Sequence, residues 1–323
     1  MLLLSLVGST VSLAAMGFAA ELWMLLAARI AAGLCGGSIG VAHALAADVS
    51  PAAERTRAMA RLGIAIGVAF TVGPLLGAAA GTAGFTTVAL LGAGLATAGW
   101  LTTWRLIPYR PTAGPRPPGT AYTRRDGLPW SLVVAGFAGM CALIGMETTV
   151  ALLANERFAA GPGFVGLLLC VAGLAMTLTQ AGPVGAGARR WGERWVAVAG
   201  AVAMAGGLAG LTVGGPPTLF VGCVAVVAAG QGVLGTTTNS MVSRIAPPGR
   251  RGEYLGLTQA AAAAGRLVGP PVAGGLYDGG TNWPNVTGAI PAVLAAAAVS
   301  VSRKLGGADE TMGAHRTAAK DGT

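Results

Sequence analysis

Ten stretches of this chain run for 17 to 26 residues with no more than one charged side chain in each: 1–20, 22–47, 59–81, 85–104, 130–154, 164–184, 195–213, 218–242, 254–277 and 286–302. An α-helix crosses the hydrocarbon core of a bilayer in about 20 apolar residues. Lipid offers no partner to a bare N–H or C=O, so spans of this kind close their hydrogen bonds internally as helices. The expected fold class is therefore an all-α membrane protein of about ten transmembrane helices. With 54% of its 323 residues hydrophobic and 10% charged, the chain lies outside the range of soluble domains.

The net charge of +9 raises the question of nucleic acid. Its distribution answers it. Arg55, Arg57 and Arg61 lie about the turn between spans two and three, and Arg105, Arg110, Arg116, Arg124 and Arg125 between four and five. Arg189, Arg190 and Arg194 lie between six and seven, and Arg244, Arg250 and Arg251 between eight and nine. Arg303, Lys304, Arg316 and Lys320 follow span ten, while the alternate loops hold one cation, Arg157. This is the positive-inside pattern of a multi-pass protein of the cell membrane with both termini cytoplasmic. A nucleic-acid surface would need a soluble fold behind these arginines, so no nucleic-acid partner is expected.

The spans repeat. Arg55 followed by Gly73-Pro74 recurs 196 residues later as Arg251 followed by Gly269-Pro270, and Gly36 and Pro51 recur as Gly232 and Pro247. Duplicated halves in a very apolar chain mark secondary transporters, with the binding site between the halves. The Pro- and Arg-rich stretch 105–129 reads as a cytoplasmic linker. It separates a four-helix half bundle at 1–104 from a six-helix bundle at 130–303, with a polar tail at 304–323. Because spans two and three match spans eight and nine, a first pair of helices is expected to precede Met1.

The punctuation resembles the major facilitator superfamily, in particular its drug:proton antiporter branch, over residues 1–305. Its fourth-helix pattern of leucine, arginine and glycines appears as Leu25, Arg29, Gly33, Gly36 and Gly37. The antiporter pattern GxxxGPxxGG appears as Ala69, Gly73, Pro74, Gly77 and Ala78, echoed by Gly265, Gly269, Pro270 and Gly274. The loop pattern GxxxDRxGRR appears as Gly185, Arg190, Gly192 and Arg194, with Arg189 in place of the aspartate and Glu193 in place of an arginine. The resemblance implies family helices three to twelve, two pseudo-repeated halves and a monomer.

An ionisable group inside a span is costly, which makes it a functional candidate. Arg29 stands about 12 Å inside its helix, on one face with Gly33, Gly36, Gly40, His43 and Ala47. That face reads as a cavity wall or as a packing surface with a snorkelling arginine; the resemblance implies that Arg29 tunes a proton site. Glu147 lies at similar depth in span five. A carboxylate taken out of water there suits a carrier of protons or an attractor of a cationic substrate, and a structural ion pair is the alternative. Arg266 and Gln259 share a face of span nine, and Gln231, Thr238 and Asn239 form a polar stripe on span eight. All five are candidates for the substrate cavity; the alternatives are a gate or a structural pair for Arg266 with Gln259, and helix–helix hydrogen bonds for the stripe. His43 reads as a packing residue.

Asp48 and Arg55 flank the turn after span two and are gating candidates; Asp48 reads as a charge brace between the cytoplasmic loops or as a solvated helix end. Gly73-Pro74, Gly77 and Gly269-Pro270 suit helices that bend and rock, because proline removes a backbone donor and glycine permits close approach. The resemblance adds Gly185, Arg190, Gly192 and Arg194 to these gating positions.

Cys35, Cys141, Cys170 and Cys223 all sit in apolar spans and read as packing residues. His43 and His315 are the only histidines, too few for a metal site. Residues 1–20 lack a basic start and run straight into another span, so they read as a membrane helix rather than a signal peptide. No GxxxxGK[ST] or HExxH occurs. No enzyme activity and no cofactor are expected. The expected function is transport of a small molecule across the lipid bilayer, in the first instance proton-coupled efflux of a lipophilic or drug-like compound by alternating access. An uptake carrier of the same fold and a shortened, non-transporting membrane protein are the alternatives.

Overall fold

The computed structural model describes residues 2–36, 38–51, 54–81, 83–106, 130–246 and 250–301. Among them the chain forms twelve helices: α1 (Leu2–Gly17), α2 (Leu22–Cys35), α3 (Ser38–Val49), α4 (Arg55–Gly81), α5 (Phe85–Leu106), α6 (Trp130–Phe158), α7 (Pro162–Ala181), α8 (Pro183–Trp191), α9 (Glu193–Thr212), α10 (Pro217–Ile245), α11 (Arg251–Gly279) and α12 (Trp283–Val301). Most of the linker, 107–129, and the tail from 302 lie outside the described residues.

The ten expected spans become twelve helices for two local reasons. The second span is not one helix: it breaks after Cys35, where the Gly36 N–H closes a turn on the Gly33 carbonyl. The sixth ends at Ala181, because Gly182-Pro183 cannot continue the helix. A short helix, α8, then forms where a loop was expected, and Gly192 terminates it at φ +82°, ψ 151°, a conformation only glycine adopts freely.

Eight segments are long and apolar enough to cross a membrane, with α2 and α3 counted as one. Helix α1, at 16 residues, is shorter than a full crossing. Helix α11 is 29 residues long but carries Arg251, Glu253, Arg266 and Asp278. It packs between α6, α12 and α3, so protein rather than lipid receives much of its surface.

Small residues set the helix spacing. Without a hydrophobic drive between helices in lipid, close backbone approach supplies the packing. Gly200 and Gly230 press α9 and α10 together, each lying where an added Cβ would meet the other's carbonyl oxygen, at 2.9 and 2.5 Å. Gly265 and Gly269 seat α11 against the Phe137 and Cys141 carbonyls of α6. Gly67 and Gly173 seat α4 against α7, across the two halves.

Two large apolar clusters follow. One gathers Ala47, Met59, Leu132, Met241, Leu255 and Val299 at the end that carries the basic turns, drawing on both halves. The other, with Leu153, Leu168, Met204, Leu211 and Phe220, fills the opposite end of the α6–α12 bundle. There Phe158 meets Phe164 and Phe220 edge to face.

The halves meet unequally along their length. Helix α3 packs on α11 and α10, and α4 packs on α10 and α7. Helix α2, the continuation of α3 toward the other face, makes no comparable approach to any helix of the second half. The molecule is therefore closed at the basic end and parted at the other.

Candidate functional site

Closure at the basic end is built on helix ends. The Asp48 carboxylate at the end of α3 accepts from Arg251 Nη1 at the start of α11, at 3.0 Å. Arg55 at the start of α4 is buried and donates from Nη1 to the Ser243 carbonyl of α10, 3.3 Å away. Glu193, the first residue of α9, gathers three donors on one carboxylate oxygen. These are the Thr56 hydroxyl of α4, the Ser240 hydroxyl of α10 at 2.7 Å and Arg244 Nη2 at 3.2 Å. Its side chain is 12% exposed, so the attraction is only lightly screened by water.

At this end Asp48 is thus paired across the halves with Arg251, while Arg55 meets a backbone carbonyl rather than a charge. Of the loop positions Gly185, Arg190, Gly192 and Arg194, the structure places Gly185 inside α8 and Gly192 at its end. Arg190 and Arg194 lie over the rings of Trp191 and Trp195, at 5.6 and 5.7 Å. Glu193 of this loop hydrogen-bonds to the other half, at Thr56. Its signal in the sequence was a carboxylate standing where the motif has an arginine. Thr56, Ser240, Ser243 and Arg244 carried no such signal.

Just inside this rim the halves share a second contact. His43 Nδ1 lies 2.8 Å from the Ile39 carbonyl, which only accepts, so Nδ1 carries the proton. Nε2 then accepts from the Asn239 amide at 3.2 Å. Both residues are buried. They are 196 apart, the offset of the sequence repeat, so the pseudo-twofold axis relating the halves passes between them. His43 and Asn239 are parts of the closure, more than the packing residue and cavity residue of the sequence reading.

The face Arg29–Gly33–Gly36–Gly40–His43–Ala47 divides at the α2/α3 break. His43 and Ala47 are buried, and Gly40 lies against Gln259 of α11, whose Cγ is 3.6 Å from where a Cβ would sit. Arg29, Gly33 and Gly36 are exposed, and a Cβ on Gly33 would meet nothing within 4 Å. Arg266 is two helical turns beyond Gln259 on the same face of α11, about 10 Å past that contact and exposed. Its guanidinium acts electrostatically on the half-buried Glu147 of α6, with no direct ion pair between them. Arg29 belongs to α2, in the first half.

Gln231 and Thr238 are buried within the second half, and Gln231 Oε1 sits 2.8 Å from where a Cβ on Gly139 would lie. Both Gln231 Oε1 and Thr238 Oγ1 lack a hydrogen-bond partner. Helices α4 and α11 run unbroken through Gly73-Pro74 and Gly269-Pro270. Close approach occurs at Gly269, while Gly73 and Gly77 face open space. Among the described residues no group of three or more His, Cys, Asp or Glu side chains is arranged to hold a metal.

Two halves of membrane helices, repeated about an axis and closed at one end, agree with the family comparison. The model of the Major Facilitator Superfamily matches residues 1–186 and 135–316. The chain belongs to the Major Facilitator Superfamily. Tetracycline resistance protein, class C, of Escherichia coli is 25% identical over 303 residues, covering 91% of this chain and 76% of that protein. Major facilitator superfamily domain-containing protein 10 of Mus musculus is 28% identical over 322 residues, covering 85% and 66%. The crystal structure of the human organic anion transporter MFSD10 (TETRAN) superposes with a TM-score of 0.78 at 21% identity, over 92% of this chain and 76% of that one. The chain thus spans about two thirds to three quarters of the length of these relatives. As a superfamily member it is a multi-pass membrane transporter of small molecules, not an enzyme.

Proposed function

We propose that this superfamily member exports a small lipophilic compound in exchange for protons, by alternating access. The observation that carries the reading is Glu147, a half-buried carboxylate in the middle of α6 with Arg266 as the charge acting on it. A carboxylate taken from water beside a cation switches between charged and neutral forms at small energetic cost, as proton exchange requires. The basic end is the cytoplasmic one on this reading, so the present conformation opens outward and holds Glu147 ready to take up a proton. Rocking of α4 and α11, with Gly73-Pro74, Gly77 and Gly269-Pro270, would carry the protein to the opposite state, which the closure at Asp48, Arg55 and Glu193 holds off.

The test is transport in everted membrane vesicles, with an imposed pH gradient acid inside and tetracycline as the probe. The parent chain accumulates the probe and dissipates the gradient as it does so. Glu147→Gln abolishes gradient-driven accumulation while leaving probe exchange at equal pH. Accumulation by Glu147→Gln equal to the parent's refutes the proton role of this residue, and flux only in the opposite direction establishes an uptake carrier.

A second reading concerns the substrate. Arg29 and Arg266 are two exposed guanidinium groups, which suits an organic anion, the substrate class of the human transporter MFSD10. Competition of tetracycline transport by fluorescein, diminished in Arg266→Gln, would select it.

A further inference from the structure

The repeat offset of 196 pairs Asp48 with Arg244, and Arg55 with Arg251. The contact Asp48–Arg251, which ties the end of α3 to the start of α11, therefore has a mate: Arg244 at the end of α10 opposite Arg55 at the start of α4. In the first contact the charges are opposite and meet at 3.0 Å. In the mate both are arginines; Arg251 and Arg244 act on Arg55 as like charges, against which Asp48 supplies the smaller opposite effect. The second half lacks a carboxylate where the first half has Asp48, and Arg55 is buried against this deficit, 9% exposed.

Glu193 lies beside the deficit. It takes Arg244 at 3.2 Å and, with the same oxygen, holds the Thr56 hydroxyl, next in sequence to Arg55 and across the interface. Arg244 also donates to Thr56 at 3.4 Å. In the chain the loop motif's aspartate has become Arg189, while the arginine after its second glycine has become Glu193.

We propose that Glu193 is a positioning residue that closes the basic end, supplying from α9 the negative charge that α10 lacks at position 244. It neutralises Arg244, which would otherwise face Arg55 across the interface, and it draws α4 onto α10 through Thr56. The device rests on the alternating-access reading, but not on the coupling ion or the substrate. It makes a prediction that a merely structural glutamate does not: Arg244→Asp makes Glu193 dispensable, because a carboxylate at that position would meet Arg55 as Asp48 meets Arg251.

Closure is read without a substrate. A Cβ added at Gly252 of α11 lies 3.8 Å from the Ala44 Cβ of α3, the usual separation in a disulfide. The pair Ala44→Cys and Gly252→Cys is introduced into a full-length chain whose Cys35, Cys141, Cys170 and Cys223 are replaced by alanine. Disulfide formation under copper–phenanthroline is then followed in native membranes. In the parent the pair cross-links readily. Glu193→Gln slows it about tenfold or more, the factor carried by one hydrogen bond to a charged group. Arg244→Asp combined with Glu193→Gln restores the rate to within about twofold of the parent, a margin inside the usual scatter of such couplings.

A parental rate in Glu193→Gln overturns the proposal, as does a double variant that stays slow. Should Glu193→Gln alone fail to fold, the double variant decides: folded and closing, it supports the proposal, and misfolded it overturns it. Cross-linking that behaves as stated in a protein that moves no protons leaves this device standing and removes the proton coupling.

Discussion

Gly173→Ala tests how the halves are held at mid-membrane. On α7 a Cβ at Gly173 would lie 2.7 Å from the Thr71 backbone nitrogen, 3.0 Å from the Phe70 carbonyl carbon and closer still to Thr71 Oγ1. The hydroxyl is held by its bond to the Gly67 carbonyl at 2.9 Å, and the other two atoms are backbone. No side chain can swing away to make room. Relief of the closest contact, that to Thr71 Oγ1, to an ordinary 3.4 Å disturbs Gly67 against Thr177 along the same seam. Overpacking of this kind costs about 1–3 kcal/mol. The gain in helix propensity from glycine to alanine returns about 0.5–1 kcal/mol.

The net loss of about 1–2 kcal/mol corresponds to a melting temperature lower by about 2–8 °C, on the scaling for chains of a few hundred residues. Gly166, on the same helix with nothing within 4 Å of its Cβ position, is the control. Gly166→Ala keeps only the propensity gain and melts about 1–4 °C higher. Both are measured by thermal unfolding in one detergent. Gly173→Ala melting at or above Gly166→Ala refutes the claim that this seam is a backbone contact.

Two other contacts give equally direct expectations. Arg157 spans the open end of the second half, donating to the Leu211 carbonyl at 2.8 Å, the Val213 carbonyl at 3.5 Å and Asn282 Oδ1 at 2.5 Å. Arg157→Ala should lower stability by about 1–3 kcal/mol in thermal unfolding, since it strips a charged donor from the carbonyls at the end of α9. Asn239→Leu removes the donor to His43 Nε2 and strands a buried acceptor only while the halves are closed. Cross-linking of the 44/252 cysteine pair should slow by roughly tenfold, as an unmet buried group of about 1–3 kcal/mol implies, with little change in melting of the second half.

Much of this architecture was legible before any coordinates. Span positions follow from length and apolarity, since a bilayer tests each segment of chain almost independently of the others. The repeat of Arg55 and Gly73-Pro74 as Arg251 and Gly269-Pro270 announced two related halves, and the motif residues announced the superfamily. Even so, the break at Gly36 and the helix α8 escaped, because both interrupt runs whose composition does not change.

The site was less legible. Asp48 and Arg55 were recognisable as gate candidates by their place at a turn. Glu193 belongs to a loop 137 residues from Thr56, and nothing in the spacing brings the two together. His43 and Asn239 were read separately because a repeat shows which residues are equivalent, not that equivalents touch; they touch only because the axis runs between them. Glu147 and Arg266 each stood out as a charge in a span, but which of Arg29 and Arg266 acts on Glu147 depends on how α11 packs on α6 through Gly265 and Gly269. Sequence by itself determined what each helix can tolerate in lipid. Tertiary structure decided which faces meet, because close contact between helices depends on backbone approach and rotation summed over many small residues, and no single residue carries that information.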